Sequence, residues 1–234
     1  MAGGTAAVDS TGTTANGQYL GPEQGVDGLR PGDTIGGMTV TLGGIPDNNL
    51  AAEFTASNGV VAINDPVLDG PETGSFSTEL LFKPRSEGMG SFGELVSKGN
   101  CCTGSPSYYL LHWGRGIRWG INAVGPPDVI DAAEAPPLDE WSHIAATFDG
   151  ETREAVLYIN GEVSTEAILA SPVNPSLGDL WLIGGLQMGP ADSNFINQAN
   201  GTIDEVSVYD RVLRADEVLG HFNVLFGGPL PPPP

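Results

Sequence analysis

The chain has 234 residues, of which 9 are basic and 29 acidic, for a formal net charge of −20. A surface this acidic repels nucleic acid and anionic membrane, so neither is expected as a partner. The 34 Gly and 19 Pro are spread along the chain, which argues against long helices and for many short strands joined by turns.

At this length one domain can bury a core without disulfide staples. Cys101 and Cys102, the only cysteines, are adjacent. A disulfide framework needs spaced pairs, and a bridge between neighbours is strained, so free thiols or bonds to another chain are expected. His112, His143 and His221 show no metal-ligand spacing. No apolar run is long enough to cross a membrane, so no membrane insertion is expected. Ala-Gly-Gly-Thr after Met1 lacks the basic and apolar regions of a signal peptide.

In chain order, Met1–Val8 reads as an extended N-terminal arm, and Asp9–Gly17 as a turn-rich loop. Gln18–Leu20 starts a strand, Gly21–Gly37 is a loop, and Met38–Leu42, Leu50–Phe54 and Val60–Ile63 are strands. Ser75–Phe82 alternates Phe76, Thr78, Leu80 and Phe82 with Ser75, Ser77, Glu79 and Leu81, the pattern of a half-buried strand. Phe92–Val96, Tyr108–Trp113 and Gly116–Ile121 follow, the last two joined by a Gly114-Arg115 turn. Ala123–Leu138 is acidic and Pro-rich, a surface excursion.

Trp141–Gly161 (WSHIAATFDGETREAVLYING) carries the strongest pattern. Two apolar-rich runs are separated by Asp149-Gly150 and closed by Asn160-Gly161, dipeptides that tolerate the positive φ of tight turns. Both faces of the runs are apolar, which places them centrally, covered on both sides. Val163–Leu169, Leu180–Ile183 and Thr202–Tyr209 are further strands, and Met188–Asn200 is a polar loop. Val218, Leu219 and Phe222 share a helical face, which predicts a helix over Ala215–Asn223. Arg214 stands at its start, where a capping Ser or Thr would be favoured, so a short or frayed helix is expected. Phe226–Pro234 is a Gly/Pro-rich tail outside a domain spanning residues 9–225, and its four prolines favour a stiff polyproline-II strand.

The central hairpin resembles that of the laminin-G-like, concanavalin-A-like lectin jelly-roll domain family. NGVVAINDP and GSFSTELLFKP are similar to its early strands, and LWLIGG and GTIDEVSVYDRVLRADEV to its closing segment. The resemblance covers nearly the whole chain. It implies an all-β fold, a two-sheet antiparallel jelly-roll β-sandwich with one short C-terminal helix, commonly a binding module and sometimes calcium-stabilised. The family's first strand is curtailed here: it is short, absent, or supplied by a neighbouring chain.

The resemblance also suggests Ca²⁺ held by Asp9, Asn16 and Asp204, since hard cations take several oxygen ligands. The alternative is that Asp9 and Asn16 only form turns and that Asp204 faces solvent or pairs with Arg211. Tyr108, Trp113 and Trp119 cluster on neighbouring strands and are candidate glycan-stacking residues, although aromatics in sandwiches are more often core. Alternation puts Tyr109 and Trp113 on one face and Tyr108 on the other. Related sandwich glycosidases carry Glu-x-Asp-x-x-Glu on one strand, and no segment here has that spacing. His143 reads as a satisfied core histidine, and the Asn200-Gly201-Thr202 sequon as a chance match.

Three functions follow as expectations. The first is a non-enzymatic structural or decorating subunit displayed on the outside of a large assembly, a virion above all, held to protein neighbours through the N-terminal arm and the Pro-rich tail, with glycan or cell-surface adhesion as an added role. The alternative is an excised glycan-binding module of a secreted or cell-surface protein. A glycosidase or lyase is disfavoured. Location is accordingly a virion surface or extracellular.

Overall fold

A computed structural model describes residues 6–8, 12, 16–41, 48–56, 59–65, 68, 74–86, 92–101, 108–114, 116–121, 128–173, 179–189 and 194–228. The chain begins with β1 (Ala6–Ala7), β2 (Gly17–Leu20), β3 (Glu23–Asp27), β4 (Thr34–Ile35) and β5 (Met38–Thr39). Next come β6 (Leu50–Thr55), β7 (Val60–Ile63), β8 (Phe76–Pro84), β9 (Phe92–Lys98) and β10 (Asn100–Cys101). The middle holds β11 (Tyr108–Trp113), β12 (Gly116–Ile121), β13 (Asp128–Asp131), β14 (Ser142–Phe148), β15 (Glu154–Ile159) and β16 (Glu162–Ile168). The last elements are β17 (Trp181–Ile183), β18 (Leu186–Met188), β19 (Phe195–Ile196), β20 (Asn200–Tyr209) and α1 (Ala215–Val224).

Two large antiparallel sheets result. One has eight strands in the order β1-β2-β7-β17-β9-β11-β12-β13, and the other has seven in the order β16-β15-β14-β8-β20-β6-β3. Their inner faces meet in a core that includes Phe54, Phe76, Leu80, Phe82, Leu110, Trp119, Ile144, Phe148, Leu157 and Trp181. The expected sandwich of two antiparallel sheets is therefore what the chain forms. Its curtailed first strand is present and short: Ala6 and Ala7 pair with Gln18 and Gly17.

The Trp141–Gly161 pattern takes the central place expected of it. Every residue of β14 is buried, because the seven-stranded sheet is covered on its second face too. There the segment from Leu29 to Val40, Trp141 before β14, and α1 with the preceding Leu213 add Leu29, Ile35, Val40, Trp141, Leu213, Val218 and Phe222. Asn160 and Gly161 have φ of 53° and 79°, as a tight turn requires. A Cβ on Gly161 would lie 2.9 Å from Phe222 Cβ, so glycine there also seats the helix on the hairpin. The other turn is wider than expected. Asp149 N–H donates to Glu154 O, Arg153 carries the positive φ of 62°, and Asp149 Oδ1 accepts from Glu151 N–H.

Several strands depart from expectation. β3 and β4 lie within the expected Gly21–Gly37 loop, β13 within the Pro-rich excursion, and β19 within the Met188–Asn200 loop. All four are short and lack a clean apolar alternation. The helix is not frayed: it has ten residues, and Glu217 accepts a hydrogen bond from Arg214 N–H at 2.8 Å. Arg211 forks onto both Glu217 oxygens at 2.9 Å, and this guanidinium holds the carboxyl down at about 2. The reversed cap replaces the missing Ser or Thr. Cys101 is disulfide-bonded, which corrects the expectation of a free thiol, and Cys102 lies outside the described residues.

Candidate functional site

β9, β11, β12 and β13 run side by side in the eight-stranded sheet. The core takes Tyr108, Leu110, Ile117, Trp119 and Ile121. By alternation the opposite face carries Tyr109, Leu111, Trp113 and Arg118. Trp113 pairs in register with Phe92 of β9 and with Gly116 of β12. Its indole is 41% exposed and the Phe92 ring 42%, with ring centroids 5.8 Å apart. Large apolar rings left open side by side are unusual on a soluble surface. The Arg118 guanidinium lies 4.1 Å from the Trp113 ring centroid. Asp131 of β13 fixes it from the other side, accepting from Nε at 2.7 Å and Nη2 at 2.9 Å.

Two further groups belong to this face. The Tyr109 ring lies over Gly120, where a Cβ would come within 2.5 Å of Tyr109 Cζ. Burial, then the Glu94 charge, push the Tyr109 phenol up to about 12. Glu94, opposite Leu111, is buried; burial raises its carboxyl to about 8 against a hydrogen bond from Asn197 Nδ2 at 3.4 Å. It is therefore mostly protonated at neutral pH. Together the face offers an aromatic plane, a guanidinium held in one orientation and a carboxylate beside it. A sugar presents an apolar ring face and hydroxyls, and this chemistry suits both.

The expected glycan residues separate here. Trp113 is on the open face, but Tyr108 and Trp119 are not. Tyr108 is 3% exposed and its hydroxyl accepts from Trp181 Nε1 at 2.8 Å, while Trp119 is fully buried. Both fill the space between the sheets, so neither offers a ring to a sugar. Phe92, Arg118 and Asp131 were missed, although the diagonal of Trp113 and Arg118 is readable once the two strands are paired.

Of the expected calcium residues, Asp9 lies outside the described residues, and Asn16 is exposed. Asp204 neither faces solvent nor pairs with Arg211. Its Oδ2 accepts from Leu29 N–H at 3.0 Å and from Asn49 Nδ2 at 2.7 Å, and its Oδ1 accepts from Glu205 N–H at 3.0 Å. Burial raises its carboxyl despite these donors. Asp204 is thus satisfied without a cation. Among the described residues no group of three His, Cys, Asp or Glu side chains is placed to hold a metal. Calcium held by Asp9, Asn16 and Asp204 stays a proposal.

A second polar cluster lies beneath α1, away from the open aromatic face. Glu79 of β8 is 7% exposed and accepts from the Tyr209 hydroxyl; it also contacts His143 Nε2 at 3.3 Å and His221 Nδ1 at 3.1 Å. Burial alone would raise the Glu79 carboxyl, but these partners outweigh it and hold it well below its ordinary value. The Glu79 hydrogen bond raises His221. His143 Nδ1 is buried without a partner, so this histidine is in the core but only half satisfied. The cluster holds the helix to the sheet.

Residues 55–219 match the concanavalin A-like lectin/glucanases superfamily. The chain belongs to this superfamily. Among solved structures, it is similar to domain 4 of AbnA, a GH43 extracellular arabinanase of Geobacillus stearothermophilus, in complex with arabinotriose. The TM-score is 0.61 at 18% identity, over 91% of each chain. The Ruminococcus gnavus IT-sialidase CBM40 bound to α2,3 sialyllactose gives 0.56 at 17% identity, over 67% of this chain and 85% of that one. The heptameric SAP-like pentraxin of Limulus polyphemus gives 0.51 at 17% identity, over 62% and 68%. At these identities the likeness is one of fold. No curated protein sequence matches the chain. Among the described residues no helix is long and apolar enough to cross a membrane.

Proposed function

We propose that this sandwich is a non-catalytic glycan-binding module that works outside the cell, with its sugar site on the outer face of β9, β11, β12 and β13. The observation that carries this reading is the exposed Trp113 indole beside Phe92, with Arg118 held over it by Asp131. An aromatic face takes the C–H face of a sugar, and a guanidinium fixed in one orientation donates to hydroxyls without further ordering cost. The domains bound to sialyllactose and arabinotriose support the class of ligand. They favour this alternative over a decorating subunit of a virion, which no neighbour named above supports.

The catalytic reading has less behind it. Among the described residues the face lacks two carboxylates poised across a cleft, since Asp131 is committed to Arg118 and Glu94 is buried. The test is a glycan array probed with the wild-type chain and with Trp113→Ala. Retention of a defined glycan set by the wild type, lost in the variant, is the expected result. An array left blank by the wild type, or equal retention by the variant, overturns the reading.

A further inference from the structure

The two sheets do not close along one edge. Between β1, β2 and β7 on one side and β3, β6 and β20 on the other lies a cleft of about 940 Å³. Its floor is core: Phe54, Val61 and Ile203 are each at most 3% exposed and line it. The space exists because the walls are made of small residues, Ala6, Ala7, Gly25, Ala51 and Ala52. At the mouth Val8 and Leu50 are 75% and 57% exposed. A sandwich that gained nothing from this opening would be better filled with larger side chains.

One end of the cleft is acidic. Asp204 and Glu205 both line it, at the bulge where β20 leaves the register of β8. Asp204 is committed to its three N–H donors. Glu205 sits at φ 50°, a left-handed conformation unfavourable for a residue with a Cβ, and its side chain is exposed. Burial raises the Asp204 carboxyl, and partial desolvation against the cleft, then the Asp204 charge, raises that of the otherwise exposed Glu205. Two adjacent acids beside an apolar volume favour a positive charge there.

We propose that this cleft binds an amphiphilic organic cation, with its apolar body between the sheet edges and its protonated amine against Glu205. The volume suits one small-molecule ligand, and apolar residues mixed with a few polar groups, here Tyr19, Gln24, Asp204 and Glu205, are the usual make-up of such a site. The site is separate from the aromatic face, so it does not rest on the glycan reading.

The probes are decylamine, decanol and decanoate, each below its aggregation concentration, titrated calorimetrically into the full chain. Decylamine is expected to bind once per chain, at least tenfold tighter than decanoate, with decanol between. Glu205→Gln should shrink that ratio at least fivefold and leave decanol unchanged. Glu134→Gln, which removes the same one charge elsewhere, should leave the ratio intact. Ala7→Trp, checked for folding by near-UV circular dichroism, should weaken all three probes, whereas Trp113→Ala should weaken none. No saturable site for decylamine, equal affinity for decanoate, or a ratio indifferent to Glu205→Gln overturns the proposal, whatever the glycan array shows.

Discussion

Replacing Glu79 by Gln keeps the shape of the buried cluster and removes its charge. In the wild type one carboxylate serves Tyr209, His143 and His221. Hydrogen bonds to an ionised acceptor contribute roughly 1.5–3 kcal/mol each and neutral ones about 1 kcal/mol. Gln can still accept from Tyr209 and donate to one neutral imidazole, so the expected loss is about 2–4 kcal/mol. For a domain of this size that corresponds to roughly 4–16 °C in Tm. The loss should depend on pH. Glu79 is depressed in the fold, so its contribution is complete above its ordinary value of 4.5 and fades as pH falls through the lower folded value. His221 is raised, so its contribution is complete below its ordinary value of 6.5 and fades as pH rises through the higher folded value. The nearby Glu217 charge also raises His221, and Arg211 opposes it. The gap between wild type and Glu79→Gln should therefore be widest between pH 4.5 and 6.5 and narrow above it. Near-UV circular dichroism melts from pH 4 to 9 measure this. Equal midpoints, or a gap that does not change with pH, would show that the cluster is not ionised as described.

Other outcomes follow from the same geometry. Trp113→Ala should weaken glycan binding by roughly 30-fold, the effect of truncating an aromatic anchor worth about 2 kcal/mol, with Tm within about 2 °C of wild type, measured by titration and melting. Tyr108→Phe leaves Trp181 Nε1 buried without its acceptor, so it should cost about 1–3 kcal/mol in a denaturant melt and leave glycan binding unchanged. Gly120→Ala should drive Tyr109 off the sheet and reduce glycan binding more than stability, read by titration against a melt. If Asp9, Asn16 and Asp204 hold calcium, melting in a hundredfold excess over Kd should exceed melting in EGTA by about 2.7 kcal/mol; equal midpoints assign Asp204 to its N–H donors alone.

Local pattern determined much of the fold. The hairpin of β14 and β15, the alternation in β8, the Asn160-Gly161 turn and the helix all follow from apolar period and turn chemistry that act within a few residues. Strands such as β3 and β13 were hidden because they lie at sheet edges, where one side of the backbone meets solvent and side chains need not be apolar; EQGVD and DVID carry little such signal. Alternation also placed Tyr108 and Trp113 on opposite faces, but not which face would be the core. Packing of the second sheet decided that, burying Tyr108 and Trp119 against Phe76 and leaving Trp113 beside Phe92. The remaining sites join residues far apart in sequence. Glu79 lies 142 positions from His221, and Leu29 lies 175 from Asp204. Only the closing of two sheets and the seating of one helix brings such groups within hydrogen-bond reach, because that reach is about 3 Å and no local period encodes it.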